Sequence, residues 1–189
     1  MNGTPTIHLP FASRWRAEIL PARPSILPTR HFTYPQLVEE VERGALEVMI
    51  HPESDASFLG TFALGFRDPI VPSGIWSMPH PQQVCALSGG YAYIVSTLRP
   101  ETCTMLPLRP VLQLHPSQAT EQMLFVGNRD ILAWNAEGLA WEAKAVSSEG
   151  ITVNAVEADT LLGTGWEMRT DREFDFVLDL ATGALQRKL

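Results

Sequence analysis

Residues 122–145 read QMLFVGNRDILAWNAEGLAWEAKA, and the fold follows from how this stretch is parsed. Met123–Val126 and Ile131–Asn135 are short apolar runs separated by Gly127, Asn128, Arg129 and Asp130. A second turn, Asn135–Gly138, leads into Leu139–Ala145. The Asn135 side chain can accept a backbone N–H, and Gly138 supplies a residue for which positive φ costs little. Short runs joined by such turns pair as antiparallel hairpins.

The same pattern continues toward the C-terminus. Turns at 147–150, 157–159, 169–173 and 181–183 separate Ile151–Val156, Thr160–Met168, Phe174–Leu180 and Ala184–Arg187. The turn from Asp179 to Gly183 repeats the logic of the turn from Asn135 to Gly138. Phe174, Phe176, Leu178 and Leu180 fall on one face of their run, and Asp175 and Asp179 on the other, as a period of two requires. An antiparallel meander over about 122–187 is expected. Upstream, Ala45–Ile50, Phe58–Phe66, Val84–Leu87, Tyr91–Thr97 and Val111–Leu114 read as further strands, with a proline-rich loop around Ile75 and Trp76. Gly163 and Gly165 sit inside a strand pattern and mark a bulge or a close approach.

The first third differs in composition. Pro5, Pro10, Pro21, Pro24, Pro28 and Pro35 crowd residues 5–35. Proline fixes φ and cannot donate a backbone hydrogen bond, so neither a central strand nor a long helix fits there. Residues 1–32 are expected as an extended arm lying on a surface. A helix is expected over Pro35–Arg43, capped by Thr33, with Leu37, Val38 and Val41 as its apolar stripe and Gly44 as its stop. The expected organisation is this arm, then a single β domain over 33–189 that contains the helix and the meander. The fold class is mainly β: propeller-like blades or a β-sandwich, with one short N-terminal helix.

The chain has 189 residues, 45% of them hydrophobic and 19% charged, which suits a domain with a sizeable core. Its net charge is −7, and lysine occurs only at Lys144 and Lys188. A nucleic-acid binder needs clustered cations, so no nucleic-acid partner is expected. The acidity also disfavours anionic lipid surfaces. No apolar run reaches the ~20 residues that span a bilayer, so no membrane partner is expected. Met1–Pro10 lacks the pattern of a secretory signal. Two cysteines, Cys85 and Cys103, are too few for a disulfide framework. A cytoplasmic location with both thiols reduced is the expectation.

Residues 124–142, LFVGNRDILAWNAEGLAWE, resemble a blade segment of quinoprotein-type or related β-propellers. Residues 176–185, FVLDLATGAL, resemble a second through the Asp179-x-x-Thr182-Gly183 turn, and residues 89–96, GGYAYIVS, a weaker third. From about Phe58 onward the chain is similar to a group of uncharacterised bacterial proteins with a propeller-like C-terminal half. The resemblance implies a fold and no catalytic residues. A blade takes about 40–50 residues, and a closed propeller needs at least four. Residues 58–189 supply roughly three on that scale. An incomplete set leaves strand edges to be covered by the arm, by the helix or by a second copy of the chain in a homo-oligomer.

Several residue sets invite chemistry. His51, His80 and His115 each precede a proline. They could converge on a metal such as zinc, or His-Pro could simply end a strand. No two share a short ligand spacing, so no metal and no other cofactor is expected. Cys85 lies in an apolar run and reads as packing, and Cys103 lies in a loop-like stretch more open to reaction. Asp130, Asp159, Asp171, Asp175, Asp179, Glu137 and Glu167 could include a catalytic carboxylate pair, but most sit at turns, where capping explains them. No nucleotide-binding, paired-cysteine or metalloprotease motif occurs. No catalytic residue is assigned. The candidate ligand-binding set is Trp134, Trp141, Trp166 and Tyr91, stacking on a sugar or an apolar group, with His80 and His115 on neighbouring loops. Tyr93 stands beside Tyr91 in the same run. Core and inter-sheet packing explains the same aromatics more directly, because large aromatics dominate cores.

The functional expectation is a non-catalytic binding or protein-interaction module, self-associating as a homodimer or meeting another protein. The alternative is a small hydrolase or lyase using a loop histidine with carboxylates. A quinone- or metal-binding propeller remnant ranks third.

Overall fold

A computed structural model describes residues 4–36 and 43–188. Among these residues the regular structure is all strand, seventeen in number. The expected helix falls largely on residues 37–42, which lie outside the described residues. Its expected cap, Thr33, sits instead in strand β3 (His31–Tyr34), paired with Thr61.

The chain divides into two compact units, 1–110 and 111–189. In the second, two four-stranded antiparallel meanders follow the chain without a crossover. One comprises β10 (Gln113–Ser117), β11 (Gln122–Val126), β12 (Ile131–Trp134) and β13 (Leu139–Ala143). The other comprises β14 (Ile151–Val156), β15 (Thr160–Glu167), β16 (Arg172–Asp179) and β17 (Leu185–Lys188). His115-Pro116 does not end a strand, because both residues lie within β10. β10 is an edge strand, where a missing N–H is tolerated.

Alternation builds this unit's core. Leu124, Val126, Ile131, Ala133 and Trp141 of one sheet are buried in a cluster with Ile151, Leu161, Phe176 and Leu178 of the other. Two side chains bond backbone across the sheet pair. Trp141 Nε1 donates to Leu180 O at 2.7 Å, and Gln113 Nε2 donates to Ile151 O at 3.0 Å. Gly163 is a close approach: a Cβ there would come within 2.7 Å of Thr152 O.

In the first unit the proline-rich segment supplies three strands, all at sheet edges. β2 (Trp15–Leu20) and β3 flank β4 (Ala45–Pro52) and β5 (Phe58–Ala63) in the order β2-β4-β5-β3. β1 (Thr6–His8) lies parallel to β6 (Gly74–Ser77), at one edge of a sheet completed by β7 (Gln83–Ser88), β8 (Tyr91–Ser96) and β9 (Cys103–Met105). From residue 58 onward three complete meanders are present, β6–β9, β10–β13 and β14–β17, and residues 15–63 make the fourth sheet.

These two sheets also share a core. Leu46, Val48, Ile50, Phe58 and Phe62 are buried in a cluster with Ile75, Val84, Ala86, Tyr93 and Val95. Trp15 Nε1 donates to Gln83 O at 3.0 Å and Tyr93 Oη donates to Ala63 O at 3.0 Å, so both aromatics bond to the opposite sheet.

The Asp179 turn ties into the second core. Asp179 Oδ1 accepts from Thr182 N at 2.8 Å and Thr182 Oγ1 at 2.7 Å, and these bonds hold its carboxyl below the usual range. Gly183 has φ of 72°, and a Cβ there would lie 2.8 Å from the Trp141 ring. An L-residue in that conformation costs roughly 1–2 kcal/mol before any steric contact. Gly183→Ala should therefore lower the unfolding free energy by about 2 kcal/mol or more, read from urea denaturation. An unchanged midpoint would show that the turn is not pressed against Trp141.

Candidate functional site

The residues expected to form one aromatic groove are divided between the two units. Tyr91 and His80 belong to the first unit, and Trp134, Trp141, Trp166 and His115 to the second. Trp141 is buried in the second core with its indole N–H bonded, so it serves packing. Trp134 belongs to the same sheet but faces the other way. It pairs with Met123, whereas Trp141 pairs with Ala133, and successive residues alternate faces. Trp166 is half-buried on β15, opposite Glu173 of β16. Tyr91 is packed rather than open: Phe66 meets its ring edge-on at 5.8 Å, and the Arg109 guanidinium lies over it at 5.0 Å.

The histidines each have a local partner. His80 Nδ1 accepts from Gln82 N at 3.2 Å, His51 Nδ1 bonds Ser57 Oγ at 2.7 Å, and His115 Nε2 bonds Gln113 Oε1 at 3.0 Å. None of these partners is a carboxylate, and among the described residues no His–carboxylate pair forms at His80 or His115. Burial pushes the His115 imidazole below its ordinary value. Among the described residues no cluster of three His, Cys, Asp or Glu side chains is placed to hold a metal.

The thiols do not form a redox pair. Cys85 pairs with Ile94 on β8, and Cys103 with the next residue, Val95, so the two cysteines lie two strands apart on opposite faces of the sheet. Neighbouring strands are about 4.8 Å apart, which places the two Cα atoms beyond disulfide reach. Burial raises both thiols, Cys103 to about 12, so neither supplies a thiolate near neutral pH.

One polar chain was not legible as a site. Glu47, on the face of β4 turned away from the shared core, is only 6% exposed. Its Oε1 accepts from Arg23 Nε at 2.9 Å and its Oε2 from Thr61 Oγ1 at 2.5 Å. Thr61 Oγ1 also bonds His31 Nε2 at 2.9 Å. A carboxylate can only accept, so the Thr61 hydroxyl donates to Glu47 and accepts from His31. The neutral imidazole thus carries its proton on Nε2. These four side chains come from β3, β4, β5 and the loop at 21–30, a convergence with no sequence spacing to reveal it.

One concave site lies wholly in the second unit. A groove of about 650 Å³ is lined by Thr164, Glu167, Thr170, Arg172, Phe174 and Arg187, with Glu173 and Asp175 completing it. The Arg187 guanidinium stacks over Phe174 at 4.5 Å from the ring centre, and its Nη1 donates to Glu167 Oε2 at 2.8 Å. That bond holds the Glu167 carboxyl below its usual range. Arg187, 43% exposed, is therefore held by contacts of different kind, to the Phe174 ring, to Glu167 and, through Nη2, to Ala145 O at 3.5 Å, which orient its guanidinium beforehand. Glu167 and Asp175 were among the acidic candidates. Phe174, Arg187 and Glu173 were not singled out as site residues, because only the register of β15, β16 and β17 brings them together.

No family model and no curated protein matches this chain. Solved structures similar to it include Citrobacter koseri AztD, at 10% identity and a TM-score of 0.46, over 75% of this chain and 42% of that one. A eukaryotic initiation factor matches at 11% identity and a TM-score of 0.40, over 75% and 40%. The N-terminal domain of Nup159 matches at 12% identity and a TM-score of 0.40, over 95% and 51%. The chain spans about half or less of the length of these structures.

The buried chain makes pH and stability predictions. Burial chiefly, then Arg23, lowers the His31 pKa below the ordinary 6.5, with Glu47 opposing. The unfolded chain then binds the proton more readily than the native one. This group's contribution is complete above about 6.5 and is lost as pH falls through the native value. NMR titration should place His31 below 6.5; a midpoint above it would contradict the arrangement. Arg23 is 43% exposed, and Arg23→Ala leaves the buried Glu47 carboxylate with the Thr61 bond but without its cation, which should cost about 1–3 kcal/mol in unfolding free energy. A loss no larger than that of an exposed pair, below about 1 kcal/mol, would count against it.

Proposed function

We propose that this chain is a non-catalytic binding or protein-interaction module whose contact surface is the groove around Phe174 and Arg187. The observation that carries the reading is the fixed Arg187 guanidinium on the Phe174 ring. Arginine and aromatic side chains are the residue types that concentrate binding energy at interfaces. Here they stand in a concave site with their geometry set beforehand, which reduces the ordering cost of association.

The four-stranded meanders support a propeller-like reading of the fold, in which regular strands form a frame and binding groups line its surface. No helix among the described residues is long and apolar enough to cross a membrane. The acidic charge and the raised thiols suit a cytoplasmic protein. A second copy of the chain is one partner the reading admits.

Selection of a displayed random-peptide library on the whole chain tests the proposal. Selected peptides should lose at least about tenfold in affinity when Phe174 is replaced by alanine, the loss expected for removing an interface anchor. Peptides that bind equally well to Phe174→Ala would place the contact surface elsewhere and overturn the assignment.

A further inference from the structure

Ser88 and Tyr91 pair across the turn Gly89-Gly90, which joins β7 to β8. The loop leading from β5 to β6 is bonded onto that turn. Gly65 N donates to Ser88 O at 3.0 Å and Phe66 N to Gly89 O at 2.8 Å. On the returning limb Pro72 O accepts from Gly90 N at 3.2 Å, and Ser73 Oγ from Gly89 N at 2.8 Å. Both limbs of the loop are therefore held, and the hairpin sets the position of Phe66.

Three side chains stand in a row as a result. Phe66 meets Tyr91 edge-on with ring centres 5.8 Å apart, and the Arg109 guanidinium lies over the Tyr91 ring at 5.0 Å. Arg109 Nε also donates to Leu106 O at 3.4 Å. Tyr91 is the covered middle of the row, whereas Phe66 is 43% exposed and Arg109 is exposed. Phenylalanine, tyrosine and arginine are enriched at interfaces, and tyrosine and arginine lead among the residues that carry binding energy. Their placement in the free chain lowers the ordering cost of association.

Charge selects the partner. Arg23, Arg30, Lys144 and Arg187 are taken up in ion pairs with carboxylates of this chain. Among the described residues no ion pair holds Arg67 or Arg109. Arg67 follows Phe66 and donates through Nη2 to the Arg43 carbonyl. The two Nη nitrogens of Arg109 have no hydrogen-bond partner among the described residues. Asp68, the carboxylate of the same loop, accepts from Ile70 N at 3.0 Å and closes its own turn. A guanidinium offers its donors in a fork that matches a carboxylate. The net charge of −7 repels an acidic partner at long range. Attraction is therefore local, within the ~8 Å over which exposed charges act at physiological salt.

We propose that Phe66, Tyr91 and Arg109 form a second contact surface, in the first unit, that binds an acidic peptide segment with an aliphatic residue beside its carboxylate. The carboxylate takes the free Nη fork of Arg109, and the aliphatic side chain covers the exposed Phe66 ring. Tyr91 holds the two ends at a fixed spacing. The inference goes beyond the groove around Phe174 and Arg187 and does not depend on it.

Fluorescence anisotropy with a labelled six-residue peptide alternating Leu and Glu tests the proposal on the whole chain. The peptide should bind, and exchanging each Glu for Lys should weaken binding at least about tenfold. Arg109→Gln and Phe66→Ala, both at exposed positions, should each weaken it at least about tenfold. Phe174→Ala should leave it unchanged. No binding of the Leu-Glu peptide, equal binding of the Leu-Lys peptide, or binding indifferent to Arg109→Gln and Phe66→Ala would each overturn the inference. Binding that fell on Phe174→Ala and not on Arg109→Gln would move the peptide to the groove: the inference would fall while the module reading stood.

Discussion

The structure depends on pairwise burial of sheet faces. A sheet with one apolar face must bury that face against another element, so each unit packs two sheets, of four or five strands, against a common core. Large aromatics fill those cores, and their polar ends need partners once water is excluded. Trp15 and Tyr93 in one unit and Trp141 in the other meet the requirement by donating to a backbone carbonyl of the facing sheet. Each bond contributes only about 1 kcal/mol net. Leaving such a donor unpaired costs more, and that asymmetry fixes how the two sheets face each other.

The same rule governs the polar chain on the other face of β4. Glu47 is buried away from the apolar core and is satisfied by Arg23 and Thr61, with His31 attached through the Thr61 hydroxyl. Arg23 belongs to the proline-rich segment, so one ion pair ties the loop at 21–30 to the central strand of its sheet. Arg30 acts nearby, donating to Ala56 O at 2.6 Å and to Asp55 at 3.0 Å. These cations serve the fold. Arg187 differs, because its contacts hold it at the wall of an open groove.

The second unit was largely legible in the sequence because its pairings are local. Hairpin turns at Asn135–Gly138 and Asp179–Gly183 carry their own chemistry, and the alternation of Phe174, Phe176 and Leu178 places one face inward. The first unit was harder. β1 pairs with β6 and β3 with β5 in parallel, across long sequence separations, and β1 and β9 have three residues each. Periodicity cannot show itself in three residues, and proline density correctly pointed away from central strands while concealing edge strands. Trp141 stood out for its size, but size also suits a core position, and the core holds it. The groove was hidden for a different reason. It gathers side chains from β15, β16 and β17, a property of register that no single residue advertises.

Hydrogen exchange of the free chain, resolved to single groups, tests the central claim most directly. The account predicts slow exchange of the Trp15 and Trp141 indole N–H groups, each of which donates to a backbone carbonyl of the facing sheet. Exchange of either group as fast as that of a solvent-exposed indole would contradict the pairing of the sheet faces.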